Sequence, residues 1–197
     1  MEFGQTIKNK KNLQMKFLKI ILIALSLGSM ASVNAQNDVS KQQAQARPQP
    51  KQISELDYKA NADGWLVDIN KAYEISKKTG KPILANFTGS DWCGWCKKLK
   101  YEVFDKPAFK AWAEKTVVLV ELDFPRSFQI PQKYKEQNAS LQQAFKVGGY
   151  PTIWVFNLDK DVNGQYSINA LGKTGFVKDV STFTGDVNNM IKKGKAQ

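Results

Sequence analysis

The sequence of 197 residues contains no histidine and only two cysteines. A structural zinc site needs about four ligands, usually Cys and His, so these side chains cannot complete one. A cysteine nucleophile that depends on a histidine base is excluded as well. We therefore expect no metal and no organic cofactor, and we expect the two thiols to act together.

The sequence also has no hydrophobic run long enough to cross a bilayer, which takes about 20 residues. The apolar run at residues 20–27 follows a lysine-rich start and precedes the small residues of Val33-Asn34-Ala35. This pattern predicts a signal peptide over residues 1–35, cleaved before Gln36, with Met15 as an alternative start. We expect an exported protein without stable membrane insertion, periplasmic if the source is a Gram-negative bacterium and otherwise secreted.

Acidic residues are fewer than basic ones, 18 against 29, which gives the chain a net charge of +11. Residues 1–35 hold five lysines and one acidic residue, so a charge of +7 remains on residues 36–197. The lysines are scattered along predicted helices and form no run interleaved with aromatic residues. This distribution is typical of a solvated surface, and we expect no nucleic-acid partner.

The chain divides into three regions by composition. After the predicted signal peptide, residues 36–55 are rich in glutamine and proline and predict a flexible tether. Residues 56–197 are long enough for one domain with its own core. Hydrophobic periodicity predicts helices at 64–79, from the cysteines through Val103, at 107–115, 131–146 and 180–193, and strands at 82–88, 116–123, 152–156 and 166–171. This order predicts an α/β fold with a mixed sheet of four or five strands and helices on both faces.

Both cysteines lie in Trp92-Cys93-Gly94-Trp95-Cys96, between a predicted strand and a predicted helix. Closing so short a loop constrains the unfolded chain little, so the spacing favours reversible disulfide exchange over a fixed structural bridge, which stays the alternative. A helix start stabilises a thiolate. We therefore predict Cys93 as the nucleophile and Cys96, expected to be more buried, as the cysteine that resolves the mixed disulfide.

Two segments resemble the thioredoxin superfamily, and in particular its exported members with a Trp-Cys-x-x-Cys-Lys pattern. Residues 87–97 resemble the active-site strand, turn and helix, and residues 147–152 resemble the loop in which a cis proline faces the dithiol. The resemblance covers about residues 60–193 and implies a thioredoxin fold. It also implies a substrate-binding surface made of Trp92, Gly94, Trp95, Gly149, Tyr150 and Pro151, with the backbone of Tyr150 pairing with a substrate peptide.

The sequence departs from thioredoxin beneath the dithiol. Thioredoxin carries a buried aspartate there, whereas the matching position here is Asn86 or Ala85. We predict that Glu121 or Asp123 replaces this acid if its side chain points inward. The residues between the cysteines are Gly-Trp, without the histidine of strong oxidants and isomerases, and this favours a reductant or exchange protein.

We therefore predict an exported thiol–disulfide oxidoreductase that reduces or exchanges disulfides in other exported proteins through Cys93 and Cys96. The resemblance implies a membrane-embedded reductase as the electron donor. Two alternatives stay open, namely a disulfide oxidant or isomerase with the same site, and a redox-inactive peptide-binding or chaperone-like module.

Overall fold

The computed structural model describes residues 50–196. The predicted signal peptide and residues 36–49 of the predicted tether lie outside this range. Four strands form the central sheet: β2 (Ile83–Thr88), β3 (Val118–Asp123), β5 (Thr152–Lys160) and β6 (Tyr166–Thr174). Their order is β3-β2-β5-β6, with β2 and β3 parallel and the other two pairs antiparallel. This arrangement confirms the predicted mixed sheet and its antiparallel final pair.

Helices cover both faces of the sheet, as predicted. One face carries α1 (Ile69–Thr79) and α4 (Gln132–Ala144). The other carries α2 (Gly94–Leu99), a π-helical turn (Lys100–Phe104), α3 (Pro107–Thr116) and α5 (Val180–Lys195). No helix in residues 50–196 combines the length and the apolar composition that crossing a bilayer requires.

Each face of the sheet has its own hydrophobic core, because successive side chains of a strand point to opposite faces. Leu84 packs with Leu99, Phe109 and Phe183 on the face of α2, which we call the dithiol face. Its neighbours in β2 pack on the opposite face, where Phe87 meets Phe145 at 5.9 Å between ring centroids. All six residues of β2 are buried, which is expected for a strand covered on both sides.

Helix α1 begins at Ile69 and not at residue 64, where the sequence predicted its start. Leu66 instead bridges to β3, donating its N–H to Leu119 O at 3.0 Å and accepting the N–H of Glu121 at 2.8 Å. Asp68 then caps the helix by accepting the N–H of Asn70 at 2.9 Å. The prediction was wrong here because the apolar residues before position 69 continue the sheet edge.

A second, two-stranded sheet lies outside the central one. Lys51–Gln52 (β1) pairs in parallel with Phe128–Gln129 (β4), and Ile53 donates its N–H to Gln129 O at 3.0 Å. Residues 51 and 52 belong to the segment for which the sequence predicts a flexible tether. Their pairing depends on backbone groups of a distant loop, which the local composition does not register.

Candidate active site

The dithiol motif follows directly from the end of β2. Cys93 donates its backbone N–H to Gly89 O at 2.8 Å, which closes a tight turn between Thr88 and the helix. A Cβ atom at position 89 would overlap the indole ring of Trp92. Glycine is therefore required at position 89, because the Trp92 side chain lies directly on this turn.

Cys93 and Cys96 are joined in a disulfide bond. Cys93 immediately precedes the first residue of α2, and its Sγ accepts the backbone N–H of Cys96 at 3.1 Å. The sequence predicted that Cys96 is the more buried cysteine, but the exposed fractions are nearly equal, 6% and 5%. What distinguishes them is the N–H donor at Cys93, which in the reduced protein stabilises a thiolate at this sulfur.

The second motif packs against the first. The Tyr150-Pro151 peptide bond is cis, as the resemblance implied. The ring of Tyr150 meets that of Trp92 edge to face at 5.7 Å, and its hydroxyl accepts a hydrogen bond from Gln142 Nε2 at 2.6 Å. Residues 92 and 150 are distant in sequence, so this contact brings the predicted substrate-binding loop to the dithiol.

The remaining predicted substrate-binding residues lie at the surface. Gly94 and Gly149 are exposed, and Pro151 is partly buried. Trp95, between the two cysteines, exposes 58% of its surface, and its ring packs against Phe176 at 4.9 Å. Phe176 was not predicted as a site residue, because nothing in its local sequence relates it to the dithiol.

A loop after β3 completes the opposite side of the motif. Trp92 donates its indole N–H to Phe124 O at 2.8 Å, and the guanidinium of Arg126 lies 3.7 Å from the Trp92 ring centroid. The Asp91 carboxylate accepts the backbone N–H groups of Arg126 at 3.0 Å and Ser127 at 2.6 Å. Sequence reasoning missed this loop, because its contacts join positions about 35 residues apart.

Two carboxyl side chains lie beneath the motif. Glu121 and Asp123 alternate with apolar residues of β3, and both point to the dithiol face, with only 4% and 3% of their surface exposed. Glu121 is paired in register with Asn86 of β2. Both side chains therefore point inward, the orientation that the prediction of a replacement acid requires.

Glu121 shares a small pocket with Cys96, Asn86 and Lys100. Its Oε1 accepts the N–H of Asn61 at 2.6 Å. Burial raises the pKa of Glu121 to about 7, and the negative charge of Asp123 adds to this effect, while the Asn61 N–H and Lys100 oppose it. At neutral pH this carboxyl can therefore hold or release a proton in the pocket that Cys96 lines.

Asp123 anchors the turn before the cysteines. It accepts the backbone N–H of Ser90 at 2.8 Å and the Ser90 hydroxyl at 2.5 Å. Burial raises the pKa of Asp123, although both bonds from Ser90 oppose that rise. The two acids thus differ in surroundings, since Asp123 bonds to the motif's turn and Glu121 faces the pocket below Cys96.

Known proteins are similar to this chain in sequence and in architecture. The family model of the thioredoxin-like domain matches residues 69–173. The chain is 39% identical over 112 residues to the disulfide bond reductase DsbH of Chlamydia pneumoniae, covering 57% of this chain and 68% of that protein. It is 28% identical over 169 residues to the thioredoxin-related protein DsbJ of Chlamydia pneumoniae, covering 85% of this chain but only 41% of that relative. A solved structure of the DsbH oxidoreductase has a TM-score of 0.56 at 28% identity, covering 83% of this chain and 95% of the other. The chain therefore belongs to the thioredoxin-like domain family.

Proposed function

We propose that this thiol–disulfide oxidoreductase works outside the cytoplasm and reduces disulfide bonds in other exported proteins. The observation that carries the proposal is the Cys93–Cys96 disulfide at the start of α2, beside the loop of the cis Tyr150-Pro151 bond. The contact between Trp92 and Tyr150 holds these two parts together. A dithiol next to a peptide-docking loop suits exchange with cysteines of another polypeptide.

The exchange transfers two electrons from the dithiol to the client. The Cys93 thiolate attacks one sulfur of the client disulfide, forms a mixed disulfide and releases the first client cysteine as a thiolate. Cys96, deprotonated, then attacks Cys93 Sγ. This step closes the Cys93–Cys96 bond and releases the second client cysteine, so that the client is reduced and this protein is oxidised.

Two observations support reduction as the direction of transfer. The chain has no histidine, so no imidazolium lies between or beside the cysteines to stabilise the reduced thiolate. One relative is named a disulfide bond reductase. A reductant outside the cytoplasm needs a continuing supply of electrons, and we propose a membrane-embedded reductase as the donor that regenerates the Cys93–Cys96 dithiol.

Export is proposed from the amino-terminal sequence alone. The lysine-rich start, the apolar run at residues 20–27 and the small residues before Gln36 support a cleaved signal peptide. The test is expression of the full chain in a Gram-negative host, followed by cell fractionation and amino-terminal sequencing. We expect a periplasmic protein that begins at Gln36, and a full-length protein in the cytoplasm would contradict export.

The redox function is tested by reducing insulin with the wild-type protein and with two serine variants. We expect Cys93→Ser to abolish the reaction, and Cys96→Ser to accumulate a mixed disulfide that dithiothreitol releases. Client binding that survives unchanged in Cys93→Ser, together with no turnover by the wild type, would instead support a peptide-binding module.

The direction of transfer is tested by equilibrating the dithiol with glutathione. A reduction potential near that of thioredoxin, about −270 mV, would support a reductant. A potential near about −120 mV, as in a strong oxidant, would overturn the proposed direction.

A further inference from the structure

A cation lies over the ring of Trp92, the residue that precedes Cys93. The Arg126 guanidinium stacks on Trp92 at 3.7 Å from the ring centroid, and Arg126 is exposed. The nearby Asp91 carboxylate bonds to the backbone N–H groups of Arg126 and Ser127 and to the Ser127 hydroxyl. None of the ion pairs formed within residues 50–196 includes Arg126. Its charge is therefore available to a binding partner.

A second cation lies near the ring of Trp95, the residue that precedes Cys96. Lys98 Nζ is 5.5 Å from the ring centroid of Trp95 and 5.7 Å from that of Phe176. Its ion pair with Glu102 is long, with 3.9 Å between Nζ and Oε1, and the lysine side chain is about half exposed. Such a pair contributes little in water, so the ammonium group can form a shorter bond to a carboxylate from outside.

We propose that these residues form a cationic collar that selects clients with acidic side chains next to the disulfide being reduced. The collar consists of Arg126 on the ring of Trp92, the residue before Cys93, and of Lys98 and Phe176 against the ring of Trp95, the residue before Cys96. The inference rests on the proposed function, because it assigns a substrate class to the same dithiol. Its ligand is an extended segment in which Asp or Glu flanks a cysteine.

Charge complementarity carries this assignment. The planar guanidinium of Arg126 can donate two parallel hydrogen bonds to a carboxylate. Because its stacking on Trp92 already restricts the side chain, less conformational entropy is lost on binding. Lys97, also exposed, adds a third positive side chain, which donates to Asp91 O at 2.6 Å. The Asp91 carboxylate already accepts donors from its own chain. A positive collar around a reactive sulfur accelerates the arrival of acidic segments and repels basic ones.

The test uses three peptides with one intramolecular disulfide that differ only in the residues flanking their cysteines, which are Glu, Gln or Lys. Reduced full-length protein is mixed with each peptide, acid-quenched at intervals and separated by chromatography, which gives a second-order rate constant. At about 20 mM salt we expect the Glu peptide to react about tenfold or more faster than the Lys peptide, with the Gln peptide between them. At about 1 M salt this ratio should approach one.

The test variant is Arg126→Glu with Lys98→Glu, and the control is Lys160→Glu, which reverses one charge where the double variant reverses two. Lys160 Nζ also lies over aromatic rings, 5.0 Å from the ring centroid of Tyr73 and 4.7 Å from that of Tyr166. Lys160 is, however, the last residue of β5, whereas Pro151 lies just before the first residue of that strand. A nine-residue strand places it roughly 30 Å from the loop of the cis Tyr150-Pro151 bond. We expect the double variant to reverse the preference, and the Lys160→Glu variant to keep the wild-type ratio.

The outcomes separate the collar from the proposed function. Wild-type protein that reduces none of the peptides would refute the proposed function itself. Wild-type protein that reduces all three at equal rates would refute only the collar. An acidic preference that persists in the double variant would also overturn the collar, since its residues would then not be responsible. A preference that Lys160→Glu removes equally would overturn it as well, since net charge would then be responsible. If the double variant fails to fold by circular dichroism, Arg126→Gln with Lys98→Gln replaces it, and we then expect a ratio close to one.

Discussion

The two faces of the central sheet differ in chemistry where β2 and β3 run side by side. Toward the carboxyl ends of these strands, the paired side chains are polar on the dithiol face and apolar on the opposite face, whereas Leu84 and Leu119 form an apolar pair earlier on the dithiol face. The polar pairs are Asn86 with Glu121 and Thr88 with Asp123, and the apolar pairs are Ala85 with Val120 and Phe87 with Leu122. All eight residues are buried, so the difference does not come from contact with water.

The difference shows that one pair of strands serves two purposes. Burial of apolar side chains on the α1 and α4 face stabilises the domain. Burial of carboxyl groups on the other face opposes folding unless donors satisfy them, yet it keeps a titratable group in the pocket that Cys96 lines. Truncating an apolar side chain on the opposite face should therefore lower the free energy of unfolding, whereas removing a buried charge or an unpaired polar atom on the dithiol face should raise it.

The largest effect is expected on the apolar face. Phe87 is fully buried and packs against Phe145, so Phe87→Ala should lower the free energy of unfolding by about 3–5 kcal/mol. Urea denaturation of the oxidised protein measures this loss. Thr88→Ala, one position along on the dithiol face, is the matched control and should cost far less. A loss below about 1 kcal/mol for Phe87→Ala would contradict the separation of the two faces.

An intermediate effect is expected at Glu121, and its sign depends on pH. The folded pKa of Glu121, about 7, lies above the reference value of 4.5, so folding favours the protonated form. The contribution of Glu121 to the free energy of unfolding therefore falls by up to about 3 kcal/mol as pH rises from 4.5 to 7, and it stays at the lower value above pH 7. Glu121→Gln keeps the acceptor for Asn61 and removes the charge, so we expect the variant to exceed the wild type in stability at pH 8.

The measurement is urea denaturation of both proteins between pH 4.5 and 8, since the difference between them isolates Glu121 from other titrating groups. Glu114→Gln, an exposed position on α3, is the control and should follow the wild type at every pH. A constant difference between the wild type and Glu121→Gln across this range would show that the carboxyl does not titrate there.

The smallest effect is expected at Asn86. Its Oδ1 is buried and has no hydrogen-bond partner among the described residues. Asn86→Leu removes this unpaired polar atom and keeps the number of side-chain heavy atoms, so we expect the free energy of unfolding to rise by about 1 kcal/mol. The reverse change on a neighbouring position, Leu84→Asn, should destabilise strongly. A clear loss of stability in Asn86→Leu would indicate that Oδ1 does have a partner, such as a bound water.

The elements around the dithiol were predictable because their signals are local. A short apolar run ending in Gly89 predicts a buried strand and a turn, and two cysteines at a helix start predict exchange chemistry. The inward direction of Glu121 also had a signal. Val118, Val120 and Leu122 alternate with it, and in a strand covered on both faces the intervening positions are buried too.

Other features depend on distant partners and were not predictable. Apolar residues before position 69 fit a helix pattern, but Leu66 bonds to the backbone of β3. The position of Arg126 over Trp92 likewise depends on Asp91, 35 residues earlier. Local periodicity carries no information on such pairings, since they are decided by which backbone groups meet after the sheet has formed.

The Asp91 carboxylate determines whether the collar is already ordered when a client binds. Burial opposes its ionisation, yet hydrogen-bond donors from Ser127 and Arg126 outweigh this effect and lower the pKa of Asp91. The carboxylate is therefore charged at neutral pH. Ordering a loop at the moment of binding weakens affinity. Here the loop that bears Arg126 is already hydrogen-bonded to Asp91, the residue before Trp92. The collar is therefore formed before a client binds. Discrimination between clients then rests on preorganised geometry, without a closing motion.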